Sequence, residues 1–228
     1  DCYRSPESTV KGAGRPPILA DMKKSAGFTI VELMITIVVL GIALAFAVPN
    51  MQDLIMNNRL TSQLNLLSSN LALARNEAVK QNDFVLLCPS DDGENCASSG
   101  ASWERGWIVY VNRDPTANLT PDLDDEACAE EATAGSCLLT RQSPFNGPNV
   151  LTPAAGIPKL IGYEGSGALV CDADDNDEKD ESCDAANTFF TLCDPRGSEH
   201  ARALAISNTG RVSILTEAPN GDALSCGD

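Results

Sequence analysis

The sequence predicts an α+β fold: one long N-terminal α-helix, its first half transmembrane, packed on an antiparallel β-sheet domain with disulfide-pinned loops. Three observations carry this. Residues 28–48 are apolar but for one charged side chain, Glu32. Behind them an apolar stripe continues at helical spacing. Beyond Lys80 the chain changes to short β-like runs and long polar loops that hold eight cysteines. The expected segments are a leader over 1–27, a transmembrane half-helix over 28–48, an amphipathic half-helix over 49–80 and a β-rich globular domain over 81–228.

The first 21 residues, "DCYRSPESTVKGAGRPPILAD", have no apolar core and no periodicity. They read as disordered, or as an overcalled start, because Met22 is the first methionine and "MKKSAG" makes a compact basic leader by itself. Phe28–Val48 then supplies 21 residues, and about 20 apolar residues span a bilayer. Lys23 and Lys24 set the N-terminal side in the cytoplasm, so everything behind the span is expected to be exported from an inner membrane. A signal peptide would have a shorter apolar core and a small-x-small site at its far end. Here the chain continues "AVPNMQDLIMNNRL", and Pro49 reads as a helix kink.

The helix resumes after Pro49. Leu60, Leu64, Leu67, Leu71, Ala74 and Ala78 alternate spacings of four and three, which is one helical face built for core packing. Gln63, Asn70, Arg75 and Glu77 are expected off that face. Phe28–Val79 would form a single helix about 78 Å long at about 1.5 Å per residue. The strands expected beyond it are Phe84–Cys88, Trp107–Val111, Cys137–Thr140, Phe189–Cys193, Ala203–Ser207 and Arg211–Leu215, with "SNTGR" as a tight turn between the last two. Trp103 and Trp107 are expected to flank a turn and fill the core.

Cys2 lies in the leader; the other eight cysteines all follow the apolar span. Zinc binding is disfavoured, since no C-x-x-C pair occurs and His200 is the only histidine. Disulfides are the better reading and imply an oxidising space beyond a membrane. Eight cysteines leave many pairings open, and proximity suggests Cys88–Cys96, Cys128–Cys137 and Cys171–Cys183, leaving Cys193–Cys226 to tie the C-terminal tail to a strand.

Charge narrows the partners. The net charge is −16, and without residues 1–27 there remain 11 basic against 29 acidic residues, or −18. Such a surface repels phosphate backbones, so nucleic acid is not an expected partner. Metal and cofactor chemistry find no support either. In the acidic run Asp172–Asp184, the spacing Asp172, Asp174, Asn176 imitates the start of an EF-hand loop. Asp177 then stands where glycine is required, and Cys183 takes the place of the final glutamate. That run reads as a solvated loop. "NLT" at Asn118–Thr120 fits a glycosylation sequon that is common by chance. His200 has only Glu199 and Arg202 nearby, and no nucleophile, P-loop or metalloprotease motif occurs. No catalytic residue and no cofactor are expected.

Glu32 is the exception, because a carboxylate in a membrane span is costly and marks a functional site by default. The span offers it no cationic side chain. A new α-amino group at Phe28, made by cutting after Gly27, would answer the charge. The constellation "KKSAG" followed by "FTIVELMITIVVLGIALAFAVP" resembles the type IV pilin family at Gly27, Phe28, Glu32 and Pro49. The resemblance implies the pilin fold and cleavage between Gly27 and Phe28 by a membrane prepilin peptidase that also N-methylates Phe28. It further implies that Glu32 helps register subunits in a filament by neutralising a neighbour's N-terminus.

"WERGWIVYVNRD" (Trp103–Asp114) and "FFTLCDPRGSEHARALAISNTGRVSI" (Phe189–Ile214) look like the H-type pseudopilins of type II secretion and the related minor pilins. The chain is thus expected to be a non-catalytic minor pilin near a filament tip, with other pilins or pseudopilins as partners through their N-terminal helices. An H-type pseudopilin of a secretion machine is the alternative. Some relatives take up DNA through a basic C-terminal tract; here the tail "GRVSILTEAPNGDALSCGD" has one arginine and three acids, so DNA uptake is not carried over.

Overall fold

Helix α1 (Ile30–Gln81) is capped at its start by Thr29, whose Oγ1 accepts the Glu32 N–H at 3.1 Å. Thr29 and Glu32 thereby have the spacing of a capping box. At the other end Asn82 turns into the left-handed region at φ 57°, and the Asp83 N–H reaches back to the Ala78 carbonyl at 3.3 Å. This is the glycine-type helix stop carried out by asparagine, a residue that tolerates the conformation. The computed structural model describes residues 27–97, 102–113, 128, 135–154, 160–172, 183 and 188–226. The readings of 1–21 as disordered, of the sequon at Asn118 and of most of the Asp172–Asp184 run lie outside these residues.

The chain divides into two compact units at Val48/Pro49. In the first, every side chain from Gly27 to Val48 is exposed, and the apolar window is long enough to cross a membrane. Helical structure is unbroken through Pro49, whose missing N–H leaves the Ala45 carbonyl without its i+4 donor.

In the second unit, α1 buries Leu60, Leu64, Leu67, Leu71, Ala74 and Ala78, each at most 1% exposed. Burial of each leucine contributes about 2 kcal/mol. Gln63 departs from expectation. It is buried with this stripe, and its Oε1 accepts a hydrogen bond from Asn149 Nδ2 at 2.7 Å. A polar residue beside the apolar face is tolerated because its amide is satisfied.

The strands are β1 (Phe84–Pro89), β2 (Trp107–Asn112), β3 (Ser136–Gln142), β4 (Val150–Pro153), β5 (Leu160–Tyr163), β6 (Leu169–Asp172), β7 (Phe189–Cys193), β8 (Arg202–Ile206) and β9 (Val212–Leu215). They form two antiparallel sheets, ordered β3-β2-β1-β5-β6 and β4-β7-β8-β9. The six expected strands are present within a residue or two at their ends. The turn Ser207–Arg211 closes β8 on β9, with the Ser207 N–H donating to Arg211 O at 2.9 Å. Strands β4, β5 and β6 were not expected.

Alternation along the strands sends one face of each sheet to the helix. Val85, Leu87, Trp107, Val109, Ile161, Phe190, Leu192 and Leu204 share one core with the α1 stripe. The tryptophans lie in it as expected, Trp103 edge-on to Phe190 and Trp107 edge-on to Phe145, with ring centroids 4.9 and 5.7 Å apart. On the other face of the second sheet, Cys193, Ala201 and Ala203 are covered by Ala218 and Leu224 of the C-terminal segment. Disulfides join Cys88 to Cys96, Cys128 to Cys137, Cys171 to Cys183 and Cys193 to Cys226.

The edge of β4 is closed by chemistry. Ala154 N–H bonds to Phe189 O at 2.8 Å, which turns the Leu151 N–H away from β7. That N–H donates instead to Glu104 Oε2 at 3.3 Å, and Pro153 has no N–H to offer. A short edge with a carboxylate cap and a proline is a poor template for a foreign strand.

Candidate functional site

Gly27 and Phe28 precede the first turn of α1, and Phe28 is 82% exposed. Among the described residues, nothing lies within 4 Å of where a Gly27 Cβ would stand. Glu32 is one turn on, exposed, with its N–H held by Thr29. As the third helical residue it also complements the positive end of the helix dipole. The structure thus sets Gly27, Phe28 and Glu32 together at one helix terminus. Pro49 lies at the unit boundary, and the disulfides lie in the globular unit.

Just beyond Pro49 a polar cluster went unnoticed in the sequence. Arg196 follows β7 and reaches α1: Nη2 donates to Asn57 Oδ1 at 2.8 Å, and Nη1 lies 3.4 Å from Asp53 Oδ1. The same guanidinium grips Asp194, with Nη2 at 2.6 Å and Nε at 3.0 Å from Oδ2. Asp194 Oδ1 accepts the Arg196 backbone N–H at 2.9 Å, an Asx turn that aims the arginine. The Asp194 side chain is 1% exposed and that of Arg196 13%. Burial works to raise the Asp194 carboxyl, but the hydrogen bonds and charge of Arg196 together hold it below the ordinary carboxylate range. Hydrogen bonding to Asp194 likewise raises the Arg196 guanidinium. The only sequence signal was the i, i+2 acid–base spacing in "DPR", which is too common to single out.

A second docking point lies one turn further along α1. Gly147 has φ 110°, and a side chain there would run into the Arg59 guanidinium. Asn149, two residues on, bonds Gln63. Glycine suits the positive φ, and a side chain there would displace the arginine from this position.

Several other polar groups are already engaged within the domain. A surface pocket of about 430 Å³ is lined by Val150, Thr152, Asp194 and Ser198 among others. Its acid is taken by Arg196, and Ser198 Oγ accepts the Cys226 N–H at 3.2 Å. Asp92 accepts from the Asn95 side chain and from the N–H groups of Glu94 and Asn95, which holds its carboxyl well below the ordinary range. Burial pushes the Tyr163 hydroxyl up to about 12, and it donates to Gly210 O at 3.3 Å. His200 ends a short 3-10 turn, Ser198–His200, half-buried. Among the described residues no three His, Cys, Asp or Glu side chains converge to hold a metal ion.

Comparison with known proteins gives two family matches. The model of the prokaryotic N-terminal methylation motif covers residues 22–48, which include Gly27, Phe28 and Glu32. Two crystal structures of the type IV minor pilin FimU of Pseudomonas aeruginosa (strain PAO1) are similar to this chain, both at 18% identity. The form in space group P21 has a TM-score of 0.44, covering 75% of this chain and 96% of that one. The form in P65 has a TM-score of 0.41, covering 74% and 100%. The second family model, type II transport protein GspH, matches residues 63–210, which is more than half of the chain, and the chain accordingly belongs to that family.

Proposed function

We propose that this chain is a minor pilin, a non-catalytic subunit that helps to assemble a type IV pilus, near its tip. The observation that carries the reading is the helix terminus itself: a glycine, an exposed phenylalanine, and a carboxylate one turn into an apolar helix. A membrane peptidase cuts between Gly27 and Phe28 and methylates the new amine, and Glu32 then meets the amine of a neighbouring subunit. Residues 28–48 anchor the chain in the inner membrane, Pro49 is where the helix bends, and the domain from about residue 49 onward lies in the periplasm. Partners are other pilins through their N-terminal helices. The acidic head does not bind nucleic acid.

A second reading, an H-type pseudopilin of a type II secretion machine, is favoured by the family description, type II transport protein. Intact-mass analysis of the membrane-extracted chain tests the shared part: the mature protein should begin at N-methyl-Phe28. A chain that keeps Gly27 overturns both readings. Deletion of the gene then separates them, with loss of surface pili and twitching on one side and loss of secreted enzymes on the other.

A further inference from the structure

All four disulfides join cysteines that are neighbours in chain order, at separations of 8, 9, 12 and 33 residues. Each loop closes before the next one opens; none is nested and none overlaps. In every pair one cysteine stands on a strand and is at most 7% exposed: Cys88 on β1, Cys137 on β3, Cys171 on β6 and Cys193 on β7. The mates Cys96, Cys128, Cys183 and Cys226 lie outside the strands.

We infer that the head domain matures by oxidation alone. A thiol–disulfide oxidoreductase that acts on cysteines in their order of emergence makes every native pair, and disulfide isomerisation is not required. The inference rests on the export reading above. With the anchor at the N-terminal end, the rest of the chain crosses the membrane from its N-terminal side, Cys88 first and Cys226 last. Cys2 precedes the anchor and stays behind, so the exported number is even.

The chemistry balances at each pair. The Cys88 thiolate attacks the oxidant's disulfide, forming a mixed disulfide and releasing one oxidant thiolate. The Cys96 thiolate then attacks the Cys88 sulfur and displaces the second oxidant thiolate. Two electrons and two protons leave the cysteine pair, and the oxidant's disulfide becomes a dithiol. The thiol that resolves the mixed disulfide is the next one within reach, and loops of about ten residues close in about 10–100 ns. When Cys128 emerges, Cys88 and Cys96 are already joined, and the same holds for every later pair. Burial of the strand member then protects each product from further exchange.

The test is a comparison of two expression hosts, both with a periplasmic thiol oxidase, one lacking the disulfide isomerase, with disulfides mapped by non-reducing digestion of the full chain. The unaltered chain should show the four native pairs at yields within about twofold of each other in the two hosts. Cys96→Ser should break the order: Cys88 is resolved by Cys128, a Cys88–Cys128 cross-link accumulates without the isomerase, and native pairing returns with it. The double variant C88S/C96S should again be indifferent to the isomerase, which separates the order effect from damage to the fold. A several-fold loss of native pairs in the unaltered chain without isomerase would overturn the inference. So would intact Cys128–Cys137, Cys171–Cys183 and Cys193–Cys226 pairs in the isomerase-free C96S variant, since folding and not order would then select the partners. Free thiols in both hosts, as opposed to wrong pairs, would overturn the export reading and this inference with it.

Discussion

Arg196→Ala removes three charged N–H contacts from a carboxylate that is 1% exposed and leaves it one backbone donor, the residue's own N–H at 2.9 Å. Stranding one member of a buried ion pair costs about 3–5 kcal/mol, and the surviving backbone bond sets the expectation at the low end, about 3 kcal/mol. Asp53, at 60% exposure, adds little, so Asp53→Ala should stay within about 0.5 kcal/mol of the native chain. Removing both partners, as Asp194→Ala with Arg196→Ala, should cost less than the sum of the single changes, by about 1–3 kcal/mol.

The pH dependence has a definite sign. The Asp194 carboxyl is lower in the folded chain than its ordinary 3.8, so its contribution is complete above that value and is lost as pH falls through the folded one. The gap between native and Arg196→Ala chains should therefore narrow below about pH 4. Urea unfolding of the detergent-solubilised chain reads this through emission of Trp103 and Trp107, the only two tryptophans, both fully buried. A loss under about 0.5 kcal/mol, additive single changes, or a gap that ignores pH would refute the argument.

Three further outcomes are expected. Glu104→Ala strands the Leu151 N–H and opens the β4 edge; it should cost about 1–2 kcal/mol and raise aggregation, whereas Glu104→Gln, which keeps an acceptor, should recover most of both, as scored by unfolding and light scattering. Asn149→Ala leaves the buried Gln63 amide without its donor and should lower stability by about 1–3 kcal/mol, while Arg59→Ala alone should do less. Glu32→Ala should leave leader cleavage and membrane insertion intact, yet restore filaments poorly in a strain lacking the gene, with Glu32→Asp intermediate; full complementation would remove Glu32 from assembly.

Where structure follows from neighbours along the chain, the sequence was enough. The anchor is a matter of length and apolarity, and the α1 stripe from Leu60 to Ala78 is a helical period that any core must cover. The six β-rich runs each carry three to five apolar or β-branched residues, and the glycine–phenylalanine–glutamate terminus is a local pattern. Where structure depends on a partner elsewhere, tertiary contact decided. "VLTP", "LIGY" and "LVCD" are four residues long and hold a proline, a glycine or an acid; alone they would not be strands. They become β4, β5 and β6 because β7, β1 and β5 respectively offer them backbone bonds, with Gly162 set against Leu86 and Pro153 at an edge. Gln63 is polar and reads as surface; it is inside because Asn149, 86 positions away, meets its amide. Arg196 on Asn57 spans 139 positions, and Glu104 under Leu151 spans 47. Each of these is a polar group placed by a partner far along the chain, and no local propensity or period encodes which partner the fold will bring.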